Sequence, residues 1–334
     1  MDTLERHPAK RITLYNHKGG VGKTILTANI AAMLSRLGKK VLLIDSDPQA
    51  NLTSYFFEDS VVDNFLDNSD SDNGETLWSS LKPLVTGEGN YKVINPYETG
   101  VENLSLLPGD IRLAEFEISL NDFWRESLER RVRGYKGTNA LSALVNSLAN
   151  EFQPDFIFYD TGPNIGPLNR IILLDCDYFI IPAACDLFSR RALKTLGHSL
   201  NQWITSWQTI LQLAPPSSYL MKGTPQFLGY IPQRFKIYGG KITSTSSAYI
   251  AQLEKVIYSD IIMVLRAINE NLASKSLRGT RLGEIKDFST LVQNAQQKGQ
   301  PLFDVTGGLA GQAEEAFNSF ETIAKNIIRR LEEE

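Results

Sequence analysis

The feature that most constrains this chain is a glycine-rich stretch, His17-Lys18-Gly19-Gly20-Val21-Gly22-Lys23-Thr24, set between two segments of different period. Before it, Arg11–Asn16 reads as a strand. After it, apolar residues at helical spacing run from about Thr24 to Leu37. Closely spaced glycines let successive backbone N–H groups converge on one point, and the start of the next helix adds partial positive charge. Such a strand–turn–helix can cradle a triphosphate, with Lys23 reaching the β- and γ-phosphates and the Thr24 hydroxyl available to Mg2+. The common phosphate-loop pattern has glycine where this chain has His17, and Lys18 is a second lysine at the start of the loop.

The rest of the chain repeats the alternation that such a turn needs. Lys40–Asp47, Asn103–Pro108, Asp155–Asp160, Tyr178–Pro182 and Phe227–Ile231 are short apolar runs, the signature of strands buried on both faces. Helical patterns fall near 138–150, 165–174, 190–212 and 246–273, and a last one runs from about Gly311 to Leu331. The expected architecture is a single α/β P-loop domain over residues 1–334, with a mostly parallel twisted sheet and helices on both faces. Two segments interrupt it. Glu58–Glu75 holds seven acidic residues and no Lys or Arg, which predicts a mobile surface insertion within a longer one near 58–100. A second insertion is expected near 115–137, where the basic residues of Arg125–Lys136 read as a solvated helix face.

Composition narrows the class. Hydrophobic residues make up 42% and charged residues 22%, and no run approaches the ~18 uninterrupted apolar residues of a membrane span. Cys176 and Cys185 read as core residues, with neither a disulfide framework nor a CxxC site, which fits a reducing cytoplasm. The polar start, Met1–Lys10, does not read as a signal peptide.

Together, Lys18 and the missing early glycine form the deviant Walker A pattern KGGxGK[ST], and the segment resembles the ParA/MinD group of P-loop ATPases. The resemblance implies ATP and Mg2+ as cofactors, with nucleotide contacts from Lys18, Gly19, Gly20, Val21, Gly22, Lys23, Thr24 and Ile25. It implies slow, partner-stimulated hydrolysis by a homodimer that sandwiches two nucleotides, Lys18 of each chain reaching the other's site. Asp45-Ser46-Asp47-Pro48-Gln49 resembles the family's switch I, so Asp47 is expected to orient the attacking water and Asp45 to organise the Mg2+ side. Phe156–Pro163 resembles Walker B continuing into switch II, which makes Asp160 the second metal-side carboxylate. Gly162 departs from the family's usual DTPP. Where the family places an adenine-contacting Asn or Thr, this chain has Tyr230-Ile231-Pro232-Gln233-Arg234, and Gln233 is the candidate.

Among the functions that share this engine, DNA or plasmid partition is the first expectation, with a ParB-like or other activating protein as partner. Non-specific DNA binding would use Arg278, Arg281, Lys286, Lys325, Arg329 and Arg330, with Arg266 and Lys275 nearby. Membrane positioning is disfavoured, because Glu332–Glu334 would be repelled by an anionic bilayer. The alternative is a ParA-like regulatory ATPase of a multi-protein system, in defence or cell-surface assembly, without a partition role. The net charge of −4 does not oppose DNA binding, since seven of the 38 carboxylates sit in one segment.

Overall fold

The central strands are apolar at nearly every position because both of their faces are covered. The computed structural model describes residues 6–184, 186–215, 218–235, 237–238, 241–242, 244–306 and 310–333. Its strands are β1 (Lys10–Leu14), β2 (Val41–Asp45), β3 (Tyr97–Glu98), β4 (Leu104–Leu107), β5 (Phe156–Asp160), β6 (Tyr178–Ala184), β7 (Gln226–Phe235), β8 (Ile237–Tyr238), β9 (Lys241–Ile242) and β10 (Ile285–Lys286). The main sheet runs β10-β7-β6-β1-β5-β2-β4-β3, parallel throughout except where β3 meets β4. The strands β8 and β9 pair separately.

Successive residues on each strand enter opposite cores. Leu42, Ile44, Ile157, Tyr159, Phe179 and Ile181 belong to one, and Val41, Leu43, Phe156, Phe158, Tyr178 and Ile180 to the other. The helices are α1 (Lys23–Arg36), α2 (Asn51–Phe56), α3 (Asp59–Asn68), α4 (Leu77–Thr86), α5 (Leu113–Leu128), α6 (Val132–Thr138), α7 (Ala140–Phe152), α8 (Pro167–Asp175), α9 (Leu187–Leu213), α10 (Ser244–Val256), α11 (Met263–Ile268), α12 (Ser289–Lys298) and α13 (Ala310–Glu332). The second core takes its helical share from α1, α2, α12 and α13, through residues such as Leu26, Ile30, Phe320 and Ile327. The first takes it from α4, α5 and α7 to α10, where Trp78, Phe116, Leu144 and Trp207 are fully covered. This is the doubly covered, mostly parallel sheet expected from the alternation.

One strand position breaks the apolar rule. Arg11 on β1 is fully buried, and its Nη1 lies 2.7 and 2.8 Å from the two carboxylate oxygens of Asp175 at the end of α8. Ser142 Oγ and the Tyr159 hydroxyl also donate to Asp175, and Arg11 Nη2 donates to Asn146 Oδ1. A carboxylate is unfavourable at a helix C-terminus, so Asp175 stands there as the counter-ion of Arg11.

Two expectations are corrected. The acidic segment 58–75, expected as a mobile surface insertion, contains helix α3 and is packed down: Val62 and Phe65 are buried, with Phe65 edge-on to Phe57 and Tyr97. Its acidic side chains all face solvent, which is why the composition alone reads as a mobile insertion. The helix expected over 246–273 is interrupted by a π-helical turn at Ile257–Ile262. There the Asp260 carbonyl comes so close to Gly197 of α9 that a Cβ would stand 1.7 Å away. The segment near 115–137 folds as α5 and α6, and Arg125, Arg130, Arg131, Arg133 and Lys136 are exposed, as the helix-face reading expects. Cys176 is buried, while Cys185 lies outside the described residues. No helix among the described residues is long and apolar enough to cross a membrane.

Candidate nucleotide-binding site

The glycine-rich loop links β1 to α1 and brings its glycines to the carboxyl edge of the sheet. Gly20 and Gly22 both have φ of 70°, the left-handed region that residues with a Cβ enter at a cost. Gly22 is also the N-cap of α1, which has no side-chain cap and no acidic residue in its first turn. The N–H groups and dipole of α1 are therefore uncommitted by side chains at the loop, the arrangement that attracts a phosphate.

Two lysines leave this loop in opposite directions. Lys23 is buried, and its Nζ donates to the Asn16 carbonyl at 3.0 Å across the cradle. Burial lowers its pKa, against the raising effect of Asp160 and Asp47. Lys18 turns to the rim, where its Nζ pairs with Asp186 and lies 3.4 Å from Ser189 Oγ. Asp186 also caps α9 by accepting the Ser189 N–H at 2.8 Å. Asn16 braces the loop's entry, accepting the Lys18 N–H at 3.0 Å and donating to the Pro182 carbonyl at 2.9 Å.

Three carboxylates converge below the cradle because β2 and β5 are neighbours in register, Asp45 opposite Asp160. Asp45 is already engaged: its Oδ2 accepts the Thr53 N–H at 2.8 Å and the Thr53 hydroxyl at 2.6 Å, anchoring α2. Gly109 makes room for it, since a Cβ there would stand 2.7 Å from Asp45 Cγ. Asp160 is fully buried, with the Thr24 hydroxyl and the Lys23 ammonium beside it, and neither of its oxygens is in a well-formed hydrogen bond. Burial, then the charge of Asp45, pushes the Asp160 carboxyl well up; burial does the same to Asp45, opposed by its bonds from Thr53. A buried carboxylate without a well-formed hydrogen bond, beside the Thr24 hydroxyl at the start of α1, fits a divalent cation held by oxygen donors. Asp47 has its Oδ1 3.0 Å from the Gln49 N–H and 3.2 Å from where a Cβ on Gly162 would be.

Gln233 lies against the loop. Its Nε2 donates to the Val21 carbonyl at 2.6 Å, and its Oε1 would meet a Cβ on Gly22 at 2.7 Å. The amide is thus committed to shaping the phosphate turn. Thr24 and Ile25 begin α1 half-buried, and Gly19 and Gly20 are exposed at the loop surface.

The candidate DNA residues lie around α13, β10 and the turn before β10. Arg278 is exposed. Arg281 pairs with Glu284, Lys286 with Glu315, Lys325 with Glu321 at 2.9 Å, and Arg329 lies 3.9 Å from Glu333. Arg330 is turned inward, only 8% exposed, with its Nη1 3.5 Å from the Gly279 carbonyl.

Sequence reasoning missed Asn16, Thr53 and Asp186. Asn16 carried a signal, as a polar residue ending an apolar strand directly before the loop. Thr53 and Asp186 carried none, because each is defined by a partner on another element.

Comparison with known proteins identifies the family and the fold. The protein family described as "AAA domain" matches residues 9–213. The sporulation initiation inhibitor protein Soj of Bacillus subtilis is 31% identical over 193 residues, covering 56% of this chain and 63% of Soj. The chromosome-partitioning ATPase Soj of Thermus thermophilus is 28% identical over 197 residues, covering 59% of this chain and 64% of that protein. The matched part is therefore less than two thirds of either relative's length. Among solved structures, pNOB8 ParA bound to nonspecific DNA superposes with a TM-score of 0.58 at 21% identity, covering 98% of this chain and 99% of that one. At that identity the likeness is one of fold.

Proposed function

Since this chain belongs to the AAA-domain family and has Soj-type ATPases among its relatives, we propose that it is a partition-type ATPase switched by ATP-dependent dimerisation. The observation that carries this reading is the divergence of the two loop lysines. Lys23 points into its own cradle, while Lys18 sits at the rim, held by a carboxylate that a triphosphate can replace. A lysine needed only for its own nucleotide has no reason to stand there.

In this reading the uncommitted N–H groups of the loop and α1 bind the phosphates of ATP, and Lys23 neutralises their charge. Mg2+, when bound with the nucleotide, would supply further neutralisation of phosphate charge. Asp160 and Thr24 are the residues that would hold it, and Asp45 keeps switch I tied to that side through Thr53. Asp47 orients the attacking water. Lys18 leaves Asp186 for the second chain's nucleotide, which couples dimer formation to hydrolysis. Since phosphoryl transfer relies on positioning and charge neutralisation, this set is sufficient.

The cargo in this reading is DNA, bound without sequence preference by the exposed basic face around Arg278. The pNOB8 ParA–DNA structure, which shares the fold, supports it. A second reading, a regulatory ATPase without DNA cargo, is favoured by the acidic partners that Arg281, Lys286 and Lys325 already have.

The test is Lys18→Gln. A fluorescent ATP analogue should bind this variant about as well as the parent, while light scattering shows only monomer with ATP. Asp47→Ala should bind ATP and accumulate as a trapped dimer. Normal ATP-dependent dimerisation by Lys18→Gln would overturn the sandwich reading.

A further inference from the structure

Glu117 lies on α5, in a segment that none of the nucleotide motifs includes, yet its carboxylate reaches the corner where they meet. It lies against Gly166 and faces the Leu168 N–H in the first turn of α8, a donor that opposes the upward pull of burial on its pKa. The start of α8 needs such a partner: Gly166 at the N-cap has no side chain to offer, and Pro167 has no N–H. Glu117 supplies the missing cap from another helix, with a charge that the α8 dipole favours. The approach depends on Gly166, where a Cβ would stand 1.8 Å from Glu117 Oε1.

The loop between β5 and α8 is thereby gripped at its far end. Along its length, Asn169 Nδ2 donates to the Gly162 carbonyl at 2.9 Å and to Asn164 Oδ1 at 2.7 Å. The Tyr15 hydroxyl donates to the Asn164 carbonyl at 2.9 Å. At the near end, the Asp47 carboxylate packs against Gly162. Burial, and then the charge of Asp47, raises the pKa of Glu117, which places the two carboxylates in one electrostatic neighbourhood.

We propose that Glu117 is a positioning residue for ATP hydrolysis: by capping α8 across Gly166 it fixes the loop against which Asp47 rests. The inference rests on the reading of Asp47 as the residue that orients water. Capping requires an acceptor oxygen, not a charge, so Glu117→Gln should restore what Glu117→Ala removes.

The experiment measures steady-state ATP turnover in Glu117→Ala, Glu117→Gln, Gly166→Ala and Asp47→Ala. Glu117→Ala and Gly166→Ala should lower kcat about 10- to 100-fold, the scale of a small misplacement, with KM for ATP within about twofold of the parent. Glu117→Gln should keep kcat within about threefold. An unchanged kcat in Glu117→Ala beside an inactive Asp47→Ala would overturn the role of Glu117 alone. A Glu117→Gln as slow as Glu117→Ala would also overturn it, since the cap is then not what matters. Near-normal turnover in Asp47→Ala would overturn the underlying reading and this inference with it.

Discussion

Replacing Asp175 by Asn removes one charge from a pair that is shut away from water, with side-chain exposures of 0% for Arg11 and 1% for Asp175. At 2.7 Å and an effective dielectric of about 20, their attraction is about 6 kcal/mol before the cost of drying both ions. That cost offsets much of the attraction, so the intact pair adds little net stability. Breaking it is different. Asn keeps one acceptor for the Ser142 and Tyr159 hydroxyls but leaves the Arg11 guanidinium buried without a counter-ion, at a cost of about 3–5 kcal/mol. Urea unfolding at pH 7 should show this loss in Asp175→Asn. In a cycle with Arg11→Met, the double variant should cost at least about 2 kcal/mol less than the two single losses added together. A loss below about 1 kcal/mol, or additivity within about 0.5 kcal/mol, would refute the reasoning.

The same pair sets an acid limb. Burial alone would push the Asp175 carboxyl up, but Arg11, Arg6 and the hydroxyls of Ser142 and Tyr159 hold it below its ordinary value of 3.8. A carboxyl held low in the fold contributes its full stability above 3.8, and that contribution fades as pH falls through the depressed value. The parent should therefore lose stability below pH 3.8 through a step that Asp175→Asn lacks, readable as thermal midpoints against pH.

Two further outcomes follow from the loop and the basic face. Gly22→Ala forces a Cβ into the left-handed region and 2.7 Å from Gln233 Oε1, so it should cost about 1–2 kcal/mol in thermal unfolding and abolish binding of a fluorescent ATP analogue; wild-type affinity would show that the turn's geometry is not what binds phosphate. Fluorescence anisotropy should detect ATP-dependent binding to random duplex DNA at 50 mM salt that falls steeply by 200 mM, and Lys275→Glu with Arg278→Glu should make the log–log salt slope shallower by roughly 2. Absence of ATP-dependent binding at low salt would favour the regulatory reading.

What the sequence made legible was local. The run Val41–Asp45 could only be a strand covered on both sides, and the glycines of the phosphate turn carry their constraint in their own identity. Helix α3 was not legible, because its apolar stripe is only Val62 and Phe65 and its acids outnumber them. What fixes it is Tyr97, far along the chain and paired at the sheet edge. The site divides in the same way. Lys23 announces itself at the start of a helix after the glycines, and Asp47 and Asp160 at strand ends, whereas Asp186 and Glu117 acquire meaning only when α9 and α5 fold beside the loop. Gln233 shows what reading by position leaves out: its place in the sequence suggests a base contact, and the fold adds a bond from its amide to the Val21 carbonyl.

Helix α8 is clamped at its first turn by Glu117 and at its last by Arg11 and Arg6. A rod fixed at both ends can neither slide nor rotate as a piston. Any rearrangement of the chain between β5 and α8 must then be absorbed in the backbone torsions of Thr161–Gly166, which include Gly162 and Gly166. In the proposed function, a change at the nucleotide would then register at the sheet's carboxyl edge, in the loop that Asp47 touches.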